Sequence, residues 1–281
     1  MLAIMGGTGL YDLPEPNVVT RFQPETPFGP PSGDVVHGRF HEHDVLFLAR
    51  HGAGHRLLPH EVNYRANIYA LKAAGATMLL GFSAVGSLVL DVKPGELAIP
   101  EQYFDFTRGK RPHTFFGNGV AAHVSTAKPV SEALVNWITS VASELGVSTH
   151  RNLTYACVEG PRLGTQAESH FLRQAGCHLV GMTNVPEVFL AREAQIAYAT
   201  VGLVTDYDCW LDDPTQHVSV ENVFQLYGAT LAKAQHVLNA AMQKPLPEPE
   251  VEIRAALKGA VLTRDKELSE PQLEWLSVIR K

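Results

Sequence analysis

The chain has 281 residues, nearly half of them apolar and about a fifth charged, with a formal charge of −6. That length can bury a large core, in one α/β domain or two smaller ones, and the negative charge argues against broad binding to nucleic acid or to membrane surfaces. Three widely spaced cysteines (Cys157, Cys177 and Cys209) suggest a reducing compartment, and thirteen scattered histidines without a CxxC or HExxH pattern give no metal site.

Met1–Met5 is a short apolar strand running into Gly6-Gly7-Thr8-Gly9. Glycines after a strand allow either a tight turn or a close backbone approach to an anion. No basic leader precedes them and no apolar run reaches ~18–20 residues, so the cytoplasm is the expected location and no helix is expected to cross a membrane. Residues 15–33, rich in Pro and Gly, read as loop. Asp44–Leu48 is a strand followed at once by Arg50 and His51, with His55 close behind. An Arg at a strand end suits a bidentate phosphate contact or a surface ion pair.

Pro59–Ala74 has helical spacing and stops at Gly75. Thr77–Phe82 is a buried strand entering a small-residue turn, Ser83-Ala84-Val85-Gly86-Ser87, and Glu96–Pro100 is a further short strand. Residues 104–128 form a polar and aromatic excursion, after which Val130–Leu145 is a helix ended by Gly146. Leu153–Val158 is a strand leading to Glu159-Gly160-Pro161-Arg162, followed by a helix over Ala167–Ala175. The strand Leu179–Met182 ends in Thr183-Asn184, and Pro186 with Glu187 can open the next helix.

Ala199–Trp210, ATVGLVTDYDCW, is the stretch around which the chain is organised. Its apolar start suits a strand buried on both faces. It ends in Asp206 and Asp208, which an extended backbone would point to the same side. Like charges that close resist joint ionisation, so one carboxyl is expected to hold a proton and serve as a general acid. The plainer alternative is a strand ending in a polar turn. Ser219 can cap a long helix over Val220–Met242. A stiff proline linker, residues 244–250, then leads to a helical segment over Val251–Leu262 and a last helix capped by Ser269 with Gln272.

If the strands are roughly parallel, Thr8, Arg50, His51, Ser83, Ala84 and Thr183 could meet at one sheet edge. Hydroxyls, backbone amides and one Arg make a phosphate site without a metal. Phosphate beside an acid that can protonate a leaving group describes phosphorolysis.

The segments GGTGL, TPFGPPSGDV, LARHG, VNYRANIYALK, SAVGS, VEGPR with QAES, MTNVPE with LAREA, and TDYDCW resemble the methylthioadenosine phosphorylases of the trimeric purine nucleoside phosphorylase superfamily. The resemblance spans roughly residues 3–243. It implies an α/β fold of one domain, a central mixed and partly barrel-like sheet flanked by helices, with residues 244–281 as a tail. That tail is expected to pack on the domain or on a neighbouring subunit, where it could close the 5′ pocket. It also implies a homotrimer (or a dimer of trimers) with sites near the interfaces, and no cofactor beyond phosphate as co-substrate. Carried over, Thr8, Arg50, His51, Ser83, Ala84 and Thr183 surround phosphate. Met182 lies under the ribose, Asp206 lies at purine N7 with Asp208 beside it, His55 lies near the 5′ side, and His123 comes from a neighbour. Leu163-Gly164 stands where the family pattern has Phe-Ser, close to the base, and leaves base selectivity open.

The reaction so implied is phosphorolysis of 5′-methylthioadenosine. A 6-oxopurine nucleoside is the close alternative, although such sites tend to carry Asn where this chain has Asp206. A non-catalytic nucleoside-binding protein is the remote alternative.

Overall fold

The computed structural model describes residues 1–7, 17–107, 109–211 and 220–281. Thr8 and Ser219 lie outside the described residues, and so do the phosphate and capping roles expected of them. In chain order the strands are β1 (Leu2–Gly6), β2 (Asn17–Phe22), β3 (Val35–Phe40), β4 (His43–Ala49), β5 (Met78–Ser87), β6 (Leu97–Phe106), β7 (Thr149–Val158), β8 (Leu179–Gly181) and β9 (Ala197–Asp206). The helices are α1 (Tyr64–Ala73), α2 (Glu132–Glu144), α3 (Gln166–Gln174), α4 (Asn184–Glu193), α5 (Val220–Ala241), α6 (Val251–Arg254) and α7 (Glu270–Ile279).

The nine strands of the described residues join one sheet in the order β2-β3-β4-β1-β5-β8-β7-β6-β9, and β9 also pairs with β5. That extra pairing closes β5, β8, β7, β6 and β9 into a barrel, with β1, β4, β3 and β2 extending from it. The expected mixed, partly barrel-like sheet flanked by helices is what forms. Alternation along β1 feeds two cores. Leu2 and Ile4 face α2 and α5 through Leu134, Ile138, Ala234 and Leu238. Ala3 and Met5 face α1, α4 and α7 through Ile68, Val188 and Leu276. Strands covered on both sides need no polar face, which is why β1 and most of β9 read as unbroken apolar runs.

Several boundaries differ from the sequence reading, each for a physical reason. Part of the stretch read as loop is β2, which pairs only with β3 and leaves Val18 and Val19 exposed, so no burial pattern marks it. Ser83-Ala84-Val85-Gly86-Ser87 is the second half of β5, held by β9 along its length and by β8 at its end. α1 begins only at Tyr64 because the Asn63 side chain accepts from the Ala66 N–H at 3.1 Å. Helix over Val251–Leu262 is confined to Val251–Arg254. Met182 falls just past β8, and Asp208 and Trp210 lie beyond the end of β9.

The proline linker is bound to the domain rather than standing off it. Glu250 accepts from Ser131 Oγ and from the Ala133 N–H, both at 2.8 Å, at the start of α2. His43 Nε2 donates to the Lys244 carbonyl at 2.9 Å. α7 carries the expected Ser269–Gln272 capping box and buries Trp275, Leu276 and Ile279 against the same chain. The Trp275 ring meets Phe28 and Phe116. Leu276→Ala should therefore lower unfolding free energy by roughly 2–5 kcal/mol in urea titration. A change below about 0.5 kcal/mol would mean that α7 is not part of this core.

Candidate active site

β1, β4 and β5 run parallel, so their carboxyl ends share one edge of the sheet. Gly7, Arg50 and His51 leave that edge, and Ser83 lies within the far half of β5. β8 runs antiparallel to β5, pairing Gly86 with Val180 and Ser87 with Leu179. Its continuation past Gly181 therefore passes back beside Ser83. The Ser83 and Thr183 hydroxyls are 3.0 Å apart and both residues are buried. Ala84 follows Ser83 and is exposed. The Thr183 N–H donates to Tyr155 Oη at 3.4 Å, and the Tyr155 ring occupies the space a side chain at Gly181 would need.

Arg50 is not a surface cation. Its guanidinium is fully buried and gives Nε to Glu187 Oε2 at 2.6 Å and Nη2 to Glu187 Oε1 at 2.8 Å. Nη1 donates to the Phe82 carbonyl at 2.7 Å and Nη2 reaches the Met5 carbonyl at 3.5 Å. Of the five N–H groups of a guanidinium, one on Nη1 is left for a ligand. Burial opposes the Arg50 charge, but Glu187 outweighs it and the pKa is raised. Tyr198 Oη also donates to Glu187 Oε1 at 2.9 Å and shares a short hydrogen bond with Thr200.

His51 Nδ1 lies 2.8 Å from the Leu57 carbonyl, which can only accept, so Nδ1 carries the proton and Nε2 the lone pair. Burial first, and the Arg50 charge second, lower its pKa to about 4. The ring is therefore neutral at pH 7. The exposed His55 ring stacks on it at 4.3 Å.

At the other end of the site, Asp206 is the last residue of β9 and pairs with Gly86 of β5. A side chain at Gly86 would fall 2.9 Å from Asp206 Oδ1, so glycine there leaves the carboxyl its room. Asp208 is not the next same-side residue of a strand. Its φ is +54°, and its N–H donates to Asp206 Oδ1 at 2.7 Å. The expectation of a same-side pair is corrected to a turn locked by Asp206 itself. The cause of the pKa shift is corrected as well. Burial is what chiefly raises Asp206, against hydrogen bonds from Thr205 and the Asp208 N–H, and the Asp208 charge adds a smaller push. Asp208 is also raised by burial, and the like charge acting on it is Glu168.

Thr205 Oγ1 sits 2.6 Å from Asp206 Oδ2 and 3.3 Å from the Val85 carbonyl. It donates to Asp206 when that group is ionised. When Asp206 carries its proton on Oδ1, Oδ2 still accepts from the same hydroxyl, so that proton is left for a ligand. The sequence reading missed this residue, although it lies inside TDYDCW. It also missed Arg111, one of three closely spaced cations in a polar excursion, with nothing in the sequence to mark it from Arg108 and Lys110. Buried Arg111 donates to Glu159 Oε1 at 3.0 Å and to the carbonyls of Glu159, Met182 and Val185 at 2.8, 2.7 and 2.8 Å. One fork thus fixes the exits of β7 and β8, including Met182. The Met182 side chain fills the space beside Gly160, whose φ is +67°.

Gly164 is tied to the TDYDCW turn by Cys209 Sγ, 3.5 Å from its carbonyl, and Leu163 is exposed. His123 lies on an exposed loop whose N–H donates to the Ala260 carbonyl at 3.0 Å, so that loop and the C-terminal segment form one unit. Among the described residues no group of three or more His, Cys, Asp or Glu is placed to hold a metal. No described helix is long and apolar enough to cross a membrane.

Residues 1–240 match the phosphorylase superfamily. The chain belongs to that superfamily. It is similar to S-methyl-5′-thioadenosine phosphorylases from Geobacter sulfurreducens, 41% identical over 99% of this chain and 97% of the relative. Another relative of that name, from Hyperthermus butylicus, is 45% identical over 89% and 90% of the two chains. A methylthioadenosine phosphorylase sourced from an antarctic soil metagenomic library superposes with a TM-score of 0.90 at 40% identity, covering 99% and 98%. One from Schistosoma mansoni, solved in complex with adenine, gives 0.81 at 34% identity over 86% and 90%. Within the superfamily the chain groups with the methylthioadenosine phosphorylases, as its motifs imply.

Removing one partner of a buried ion pair strands the other charge. Arg50→Ala should therefore lower stability by about 3–5 kcal/mol in chemical denaturation. The double variant Arg50→Met with Glu187→Gln should recover part of that loss. If the single variant is as stable as the parent, the pair does not hold this edge together.

Proposed function

We propose that the chain catalyses phosphorolysis of 5′-methylthioadenosine to adenine and 5-methylthioribose 1-phosphate. The observation that carries this reading is the juxtaposition of two ends. Paired Ser83 and Thr183 hydroxyls follow directly on the Phe82 carbonyl that Arg50 holds, and a carboxyl with a raised pKa stands further along the same β5–β9 seam.

Charge sets the chemistry at the first end. Glu187 already neutralises Arg50, and His51 is neutral. Phosphate is then held mainly by hydroxyls, the remaining Nη1 hydrogen, the Ala84 backbone amide and, by the family resemblance, Thr8, rather than by net positive charge. The His51 Nε2 lone pair needs a donor, and the P–OH of monohydrogen phosphate supplies one. At the second end, protonated Asp206 donates to purine N7, and Asp208 accepts from the exocyclic amine. As the C1′–N9 bond lengthens, the sugar becomes oxocarbenium-like over Met182. The phosphate stabilises that charge and then forms the new C1′–O bond, while Asp206 leaves its proton on N7. The reaction needs no metal or organic cofactor. Thr205 fits both protonation states of Asp206, so the acid ionises without losing its partner.

A homotrimer fits the surface. Phe104 and Phe171 are exposed on either side of Phe106 in a row of ring contacts, as a subunit interface would need. In this arrangement the unit made of the His123 loop and residues 259–263 reaches the 5′ side of a neighbour's site, near that neighbour's His55. The cytoplasm, where both substrates are present, is the expected location.

Asp206→Asn keeps the shape but has no transferable proton. It should cut turnover of methylthioadenosine by ~10²-fold or more, and methylthioinosine should suffer less. In the parent, kcat/KM should fall as pH rises through the raised pKa of Asp206, because the acid form is lost. Parent-rate cleavage of methylthioadenosine by the Asn variant would remove Asp206 as the acid. Equal losses on both substrates would remove it from base selection. A chain that binds the nucleoside without cleaving it would instead be a binding protein.

A further inference from the structure

A cleft opens beside Asp208, with Gly160 and Gly164 on its wall. It measures about 160 Å³, and none of Arg50, His51, Ser83 and Thr183 lines it. It is therefore separate from the phosphate end and continues past the base end. Val158, Leu172 and Val180 give it an apolar floor. On its rim the charged side chains Arg162 and Glu168 satisfy one another through two bonds of 2.6 and 2.8 Å. At Gly164 the wall has no side chain, and a Cβ there would come no closer than 4.0 Å to Glu168.

The position of this space follows from the roles proposed above, on which the inference rests. With N7 at Asp206 and the exocyclic amine at Asp208, the cleft begins at the amine and extends away from N7. A monoalkylated amine keeps one N–H, and that N–H points toward the N7 side when the alkyl group turns toward N1. Asp208 then keeps its donor while the alkyl group enters the cleft. We propose that this cleft is a subsite for a substituent on the 6-amino group of the purine, and that the chain cleaves 5′-methylthio nucleosides of N6-alkylated and N6-arylmethylated adenine. Bond changes are those of the parent reaction: C1′–N9 breaks, C1′–O to phosphate forms, and N7 receives the Asp206 proton.

The test is a size series on the unaltered protein: 5′-methylthioadenosine and its N6-methyl, N6-propyl and N6-benzyl derivatives, with kcat/KM read from release of the free base. A site with no spare room rejects even one added methylene by roughly tenfold or more. Here all three derivatives should stay within about tenfold of the parent nucleoside. A larger drop at N6-methyl, or a steady fall with size beyond that limit, would overturn the subsite. Leu172→Phe narrows the floor, and Lys110→Trp narrows the exposed mouth without touching the core. At least one should reduce the N6-benzyl substrate by about tenfold more than the unsubstituted one. Equal effects on both substrates in both variants would place the substituent elsewhere. Failure to cleave even 5′-methylthioadenosine would overturn the phosphorylase reading itself, and the subsite with it.

Discussion

The buried pair between Arg50 and Glu187 is the contact on which the site's architecture depends. Arg50 leaves β4, Glu187 sits in the first turns of α4, and the guanidinium also ties down carbonyls of β1 and β5. Three strands and one helix are thereby registered at a single point. Two buried charges are tolerated only when each is paired and its remaining hydrogen-bonding capacity is used. Tyr198 serves that need for Glu187, and the Phe82 carbonyl serves it for Arg50.

That constraint shapes both ends of the site. A cation already neutralised by its own carboxylate orients donors more than it attracts anions. In the proposed reading the phosphate end is consequently a set of aimed neutral groups, which favours specificity of geometry over raw attraction. The base end works by burial instead. Asp206 stands at the mouth of a strand packed on both faces, and its desolvation, more than its neighbour's charge, moves its pKa toward neutrality. Thr205 and the Asp208 N–H temper the shift and fix the direction of the carboxyl.

Much of this was legible in the sequence, for identifiable reasons. Buried parallel strands announce themselves as apolar runs, so β1, β4, β5 and β9 could be placed, and small or hydroxyl residues at their ends pointed to a shared edge. The caps of the last helix could be read from Ser269 and Gln272. What could not be read depended on tertiary partners. The edge strand β2 has too little buried surface to leave a pattern. β5 runs through its small residues because β8 and β9 pair with them. Arg111 and Glu187 act on residues far away in sequence, and spacing carries no trace of such contacts. Asp208 was misread because period-two logic assumes an extended backbone, and its φ is positive.

The proposed reaction makes one chemical demand, that the glycosidic bond breaks only when phosphate is there to receive the sugar. The most direct measurement is adenine release from 5′-methylthioadenosine by the purified chain as phosphate is varied from none to saturation. Adenine should appear only with phosphate, rise to a plateau, and be matched one for one by 5-methylthioribose 1-phosphate. Adenine released equally fast without phosphate, or not released at any phosphate concentration, would contradict the assignment.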